Sequence, residues 1–150
     1  MIRKATTEDI PDIIALQRSV EGENEIWGYQ ADSPEEWALR DLSWTFVALV
    51  GTQPVGFIYC CPMPYSGECV FPTESRILEI VDLVITQDAR GQQHGHELVA
   101  SIKRQAREAG FTHLRVYSAA KRFDDIVRFY RSCGFIPWYL EMMQEIGAKP

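Results

Sequence analysis

The stretch Thr86-Gln-Asp-Ala-Arg90-Gly91-Gln92-Gln93-His94-Gly95-His96 is polar, contains two glycines, and joins an apolar run to a helical pattern. At such a junction the first helical turn leaves backbone N–H groups without intrahelical partners, and the helix dipole adds partial positive charge. That combination suits phosphate or pyrophosphate, and Gly91 and Gly95 let the backbone come close to such a ligand. Immediately upstream, Glu79 and Asp82 lie within Ile77-Leu-Glu-Ile-Val-Asp-Leu-Val-Ile85. Apolar neighbours desolvate a carboxylate and raise its pKa. The two residues have opposite parity, so a regular strand points them to opposite faces. The histidines of the loop, His94 and His96, flank a phosphate or face solvent rather than act as catalysts.

The elements that must hold these residues can be read from periodicity and punctuation. Met1 to Ala5 offers a short first strand. Thr6 or Thr7 then caps a helix whose stripe Ile10, Ile13, Ile14 and Gln17 has helical spacing, and residues 19 to 32 read as loop. Ser33-Pro-Glu-Glu36 is a helix start with Ser as N-cap, Pro at N1 and Glu at N3. The runs Trp44 to Val50 and Val55 to Cys60 flank the turn Gly51-Thr-Gln-Pro54 and predict a hairpin. Residues 62 to 75 form a long loop, and Ile77 to Ile85 a third long strand. A helix from about His94 to Ala109 stops at Gly110, with Leu98, Ile102 and Ala106 facing inward. A strand follows within 111 to 118, then a helix capped by Asp124 or Asp125 and stopped by Gly134. One or two strands are expected between Phe135 and Ile146, broken near Pro137. The order β-α-α-β-β-β-α-β-α-β defines a mixed α/β domain spanning residues 1 to 150.

Composition removes several function classes. The formal charge of −6, from 21 acidic and 15 basic residues, opposes the field that nucleic acid requires. No apolar run reaches the length of a signal peptide or a membrane span, so a soluble, cytoplasmic protein with no membrane partner is expected. Cys60, Cys61, Cys69 and Cys133 lack C-x-x-C spacing, and none of the three histidines has zinc-finger spacing; no metal is expected. A nucleotide-binding P-loop is disfavoured because G-x-x-x-x-G-K-[ST] is missing. Between Arg18 and Arg40 there is no Lys or Arg, whereas Glu21, Glu23, Glu25, Asp32, Glu35 and Glu36 fall there beside Trp27, Tyr29 and Trp37. Carboxylates and aromatic faces both attract ammonium groups, although a solvated acidic loop over core tryptophans fits equally well.

Arg90-x-x-Gln93-His94-Gly95 resembles the Q/R-x-x-G-x-G/A motif of the GNAT acetyltransferase superfamily, with Gln93 where the motif has its first glycine. Phe129-Tyr130-Arg-Ser-Cys-Gly134-Phe135 is similar to that family's aromatic-Tyr-x-x-x-Gly-Phe ending, and Ile2 to Ile10 looks like its first strand and helix. Phe123 stands near the place where the family often has an Asn.

The resemblance implies a GNAT-like, mostly antiparallel central sheet with helices on both faces. It also implies acetyl-CoA as co-substrate and a primary amine as acceptor, either a small molecule or a peptide. The amine would attack the thioester directly, and the coenzyme would leave as a thiol. The CoA-binding set would be Leu83, Val84 and Ile85 with Arg90, Gly91, Gln92, Gln93, His94, Gly95 and His96. The family has a bulge in the third long strand, which would upset the parity count and aim the N–H of Leu83 at the thioester oxygen. Glu79 is favoured over Asp82 as the base, and Tyr130 matches the acid that protonates sulfur. The plainer alternatives are carboxylates paired with basic neighbours and a core tyrosine. A non-catalytic acyl-CoA-binding module on the same fold is the rival reading, and a homodimer is left open.

Overall fold

Five strands hydrogen-bond in their sequence order: β1 (Ile2–Lys4), β2 (Thr45–Val50), β3 (Gln53–Met63), β4 (Ile77–Ile85) and β5 (His113–Val116). The computed structural model describes residues 1–64, 71–138 and 140–147. Every neighbouring pair is antiparallel except β4–β5, which is parallel. Helices α1 (Ile10–Glu23) and α2 (Pro34–Ala38) cover one face, where Ile13, Leu16 and Trp37 pack on Val47, Phe57 and Val84. Helix α3 (His94–Glu108) covers the other, setting Leu98 and Ile102 against Ile58, Leu78 and Ile80. Helix α4 (Phe123–Ser132) lays Phe129 and Tyr130 on that second cluster. Side chains such as Ile102, fully removed from water, each contribute about 1.5–3 kcal/mol.

The mixed, mostly antiparallel sheet with helices on both faces is as expected, and several boundaries differ. Helix α1 continues past Gln17 to Glu23, because Val20 extends its buried stripe; Asn24 ends it in a left-handed conformation, with a φ of 54°. Strand β3 runs on to Met63, so Pro62 and Met63 pair with β4 and do not belong to the loop. The rest of the expected loop includes residues 65–70 (with Cys69), which lie outside the described residues. Helix α4 has Arg122 at its N-cap, with Asp124 and Asp125 in the first turn. The strands expected between Phe135 and Ile146 are not formed among the described residues, and β5 is left as the sheet's edge. Pro137 removes a ladder donor from that segment. Among the described residues no helix is long and apolar enough to cross a membrane.

Candidate active site

The site originates in a register change in β4. Tyr59 lies opposite Asp82 while its neighbour Cys60 lies opposite Ile80, so Val81 is the extra residue of a bulge. Two consequences follow. Parity reverses at the bulge, so Glu79 and Asp82 face the same side of the sheet, toward α1. Pairing with β5 also stops there, because only Ile77–Ile80 match His113–Val116. Beyond Ile80 the pairing of the two parallel strands ends, and no strand among the described residues lies beside the β5-facing edge of β4. The Thr86 amide donates to the Val55 carbonyl at 2.8 Å. By antiparallel alternation, Val84 and Thr86 turn their polar groups toward β3, and Leu83 and Ile85 turn theirs outward. The Ile85 carbonyl accepts a 3.1 Å hydrogen bond from Arg90 Nε. The Leu83 N–H and C=O and the Ile85 N–H remain available to an extended ligand.

Asp82 sits at the centre of a half-buried polar cluster under α1. Gln17, 1% exposed, donates from Nε2 to Asp82 Oδ2 at 2.9 Å and to Asp32 Oδ2 at 2.6 Å. Its Oε1 accepts from Trp37 Nε1 at 3.0 Å and from the Asp32 amide at 3.2 Å. Arg40 stands 2.9 Å from Asp32 as an ion pair without hydrogen-bond geometry. Its guanidinium lies over the rings of Trp37 and Tyr59, 4.4 and 4.7 Å from their centroids. The Tyr29 hydroxyl is buried beside Asp82 and Gln17 without completing a hydrogen bond, and burial together with the Asp82 charge pushes its pKa far up. Burial, then the charge of Asp32, holds Asp82 above the usual carboxylate range, although the Gln17 hydrogen bond opposes this.

Glu79 is in a different state. Its Oε2 accepts from Arg115 Nε at 2.6 Å, with both side chains less than one-fifth exposed. The structure thus brings both carboxylates to one face, one neutralised by a cation and one not. Of the sequence's acidic stretch, Asp32 joins the cluster and Trp37 is core. Trp27 is exposed and carries the Lys121 ammonium 4.7 Å from its ring centroid.

The loop after β4 leaves a set of free donors. Gln93 occupies the N-cap of α3 in a left-handed conformation, with a φ of 69°, and its side chain makes no capping hydrogen bond. The amides of Gly91 through His96 donate to no backbone carbonyl among the described residues. The Glu97 amide, bonded to the Gln93 carbonyl at 3.0 Å, is the first that does. Gly91, with a φ of 74°, needs its missing side chain for backbone freedom. Gly95 needs it for packing, since a Cβ there would stand 3.2 Å from the Phe129 ring. Arg90 is tied down by Glu23 at 2.7 Å, and Gln92 closes the loop onto the Asp88 carbonyl at 2.9 Å. His96 contacts Ser132 Oγ at 2.8 Å and packs edge-on against Phe129, whereas both ring nitrogens of His94 are buried without a partner.

Tyr130 approaches from α4, its ring packed edge-on against Phe129 and Phe135. Burial first, then the neighbourhood of Cys133, Cys60 and Asp82, raises its phenol well above the usual value and keeps it protonated. The Asp82 charge is thus one of the smaller influences on the Tyr130 phenol. A larger cavity of about 630 Å³ lies elsewhere, between β5, α4 and the chain after Gly134. Tyr130 and Arg115, the partner of Glu79, are among the residues that line it.

Cys60, Cys61 and Cys133 are free thiols, and no cluster of potential metal ligands occurs among the described residues. Sequence reasoning placed Gln17 on the inner stripe of α1 without giving it a role; a lone amide on a buried apolar face was the available signal. Arg40 gave no comparable sign.

The sheet is thus split at a bulge, and amides without backbone partners among the described residues lie at the start of the helix that follows. Residues 11–135 match the acetyltransferase (GNAT) family, and the chain belongs to it. No curated protein matches the sequence. Among solved structures, the chain is similar to the aminoglycoside acetyltransferase meta-AAC0020 from an uncultured soil metagenomic sample. The two are 22% identical over 100% of this chain and 95% of that one, with a TM-score of 0.69. Ribosomal-protein-alanine N-acetyltransferase from Brucella melitensis is 25% identical over 89% of this chain and 83% of its own, with a TM-score of 0.67. The aminoglycoside N-acetyltransferase AAC(6')-Iy, solved in complex with CoA, is 13% identical over 99% and 100% of the two chains, with a TM-score of 0.71.

Proposed function

We propose that this protein is an acetyl-CoA-dependent N-acetyltransferase acting on a primary amine, with Asp82 as general base. The observation that carries the reading is the bulge at Val81, which in one step opens the β4 edge and turns Asp82 onto the open face. The residues fit the co-substrate. Leu83 and Ile85 offer an unpaired strand edge to the pantetheine arm, and the uncapped start of α3 offers consecutive amides to the pyrophosphate. A structural neighbour solved with CoA supports the same reading.

When bound, acetyl-CoA supplies a thioester carbonyl. Asp82, held above the usual carboxylate range, takes the proton that the acceptor amine loses on attack. The outward N–H of Leu83 donates to the oxygen on which negative charge develops. Tyr130, kept protonated by burial, gives its proton to the departing sulfur. Glu79 positions the β4–β5 junction through Arg115, and Val84 packs in the core below the site.

Neighbours named for aminoglycosides and for a ribosomal protein's alanine support an acceptor among small cationic amines or peptide amines. The assay is thiol release from acetyl-CoA with polyamines, amino acids, aminoglycosides and peptides. A primary amine in that panel is expected to accelerate release well above the hydrolytic background. Tight CoA binding with no acceleration across the whole panel would overturn the reading in favour of a non-catalytic acyl-CoA-binding module.

A further inference from the structure

Gln17 is the most completely engaged side chain in the cluster. Two hydrogen bonds reach its Oε1, from Trp37 Nε1 and the Asp32 amide, so the amide cannot flip without losing both. The orientation that satisfies Oε1 points both Nε2 hydrogens at carboxylates, one on Asp82 and one on Asp32. Those carboxylates are not equivalent. Asp32 has the Arg40 guanidinium 2.9 Å away, whereas no cation is paired with Asp82 among the described residues. Gln17 thus forms a neutral bridge between a compensated and an uncompensated acid, and it engages only Oδ2 of Asp82. Oδ1 of Asp82 accepts no hydrogen bond among the described residues.

We propose that Gln17 is the positioning residue of the site: its amide clamps one oxygen of Asp82, fixing the carboxylate's rotamer and turning the other oxygen to the acceptor amine. This rests on the reading of Asp82 as the base, and it adds a residue that does not touch the substrate. The groups that face Asp82 from the surrounding elements are Tyr29 and Asp32 from the loop before α2, Arg40 after it, Tyr59 of β3, and Tyr130 of α4. Among them the Gln17 hydrogen bond first, then the neighbouring Tyr29 hydroxyl and the charge of Arg40, favour the ionised form, against burial and Asp32. Removing the amide takes away the foremost of the favourable contributions. The acid should then titrate higher.

The experiment follows the Asp82 side-chain carboxyl carbon by NMR through a pH titration of the free protein, the signal being assigned with Asp82→Asn. Gln17→Met keeps the volume and removes the donors. Gln17→Glu also keeps the acceptor for Trp37 and the Asp32 amide, and so covers the case in which the methionine variant does not fold. Loss of one charge-assisted hydrogen bond predicts an upward move of about one pH unit in Gln17→Met, with a further rise in Gln17→Glu. Acetyl-CoA affinity by calorimetry should stay within about twofold, since Gln17 lies away from the β4 edge and the loop. A purely packing role for Gln17 would leave the titration where it is in the wild type, and that result would overturn the proposal. An Asp82 signal that moves while Asp82→Asn keeps full turnover would support the clamp and reject Asp82 as base, so the two failures are distinguishable.

Discussion

Two aspartates leave water in this fold, and they reach opposite electrostatic states. Asp9, where α1 begins, is 6% exposed and accepts from Arg3 at 2.8 and 2.7 Å and from the Thr6 amide at 2.7 Å. The Arg3 hydrogen bonds hold it below the usual carboxylate range despite burial. Asp82, at the bulge, has a single amide donor, and the nearby guanidinium is paired with another acid. Burial wins there, and the carboxyl stays high. The helices that start in each region repeat the contrast, since α1 follows a turn closed by Thr6 and Asp9, whereas α3 starts uncapped on a left-handed Gln93. One region has satisfied its polar groups internally. The other leaves amides unbonded and an acid without a paired cation among the described residues, a reserve on which the proposed function draws.

Asp82→Asn tests this contrast with the largest effect. General-base loss predicts a fall in kcat/KM of about 10³-fold, with the acetyl-CoA Kd within about twofold. Stability should move the other way. A carboxyl raised in the folded state binds its proton more tightly there than in the unfolded chain, so its ionisation costs stability as pH rises through the usual carboxylate range to the raised value. The Asn variant escapes that cost and should unfold at higher denaturant at pH 7. Wild-type turnover in Asp82→Asn would break the comparison.

Tyr130→Phe sharpens the active side of it. Loss of the proton donor predicts a kcat about 10²-fold lower with acetyl-CoA binding nearly unchanged, measured by steady-state kinetics beside calorimetry. An equal loss in both would assign the ring to packing between Phe129 and Phe135.

Asp9→Asn probes the satisfied side. The folded pKa of Asp9 is depressed, so its contribution is present above the usual carboxylate range and disappears as pH falls through the lowered value. Arg3 is 40% exposed and regains water when released, so the variant should lose about 2 kcal/mol at pH 7. Denaturant titrations of the two proteins should converge at acid pH, and turnover per folded molecule should be unchanged. A turnover defect would mean that the two regions are coupled.

What could be read from the sequence follows the same division. The β4 run, the α3 stripe with its Gly110 stop and the Ser33–Glu36 cap were all legible, because local periodicity and punctuation fix them. The loop between β4 and α3 and Tyr130 were picked out through resemblance, and their roles belong to the proposed function. Register was not: the bulge at Val81 depends on pairing with β3, and with it the face on which Asp82 stands. The proposal of Asp82 in place of the favoured Glu79 rests on the position of Arg115, 36 residues along the chain from Glu79, on the neighbouring strand. The terminal segment misled for a related reason. Its apolar residues Ile136, Trp138 and Leu140 alternate as a strand would, yet they remain exposed, because alternation cannot say whether an edge will accept them.

The smallest effect concerns Gln93, where the left-handed backbone is carried by a residue with a Cβ. Such a conformation costs an L-residue about 1–2 kcal/mol, and glycine avoids it. Glycine also gives the unfolded chain more freedom, which takes back about 0.5–1 kcal/mol. Gln93→Gly should therefore stabilise by less than about 1 kcal/mol, read as a small rise in denaturation midpoint at constant m-value. The loop amides stay in place, so acetyl-CoA should bind with unchanged or slightly improved affinity. A midpoint that falls would show that the Gln93 side chain contributes more than its backbone strain costs. The uncapped start of α3 would then belong to the satisfied region and not to the reserve.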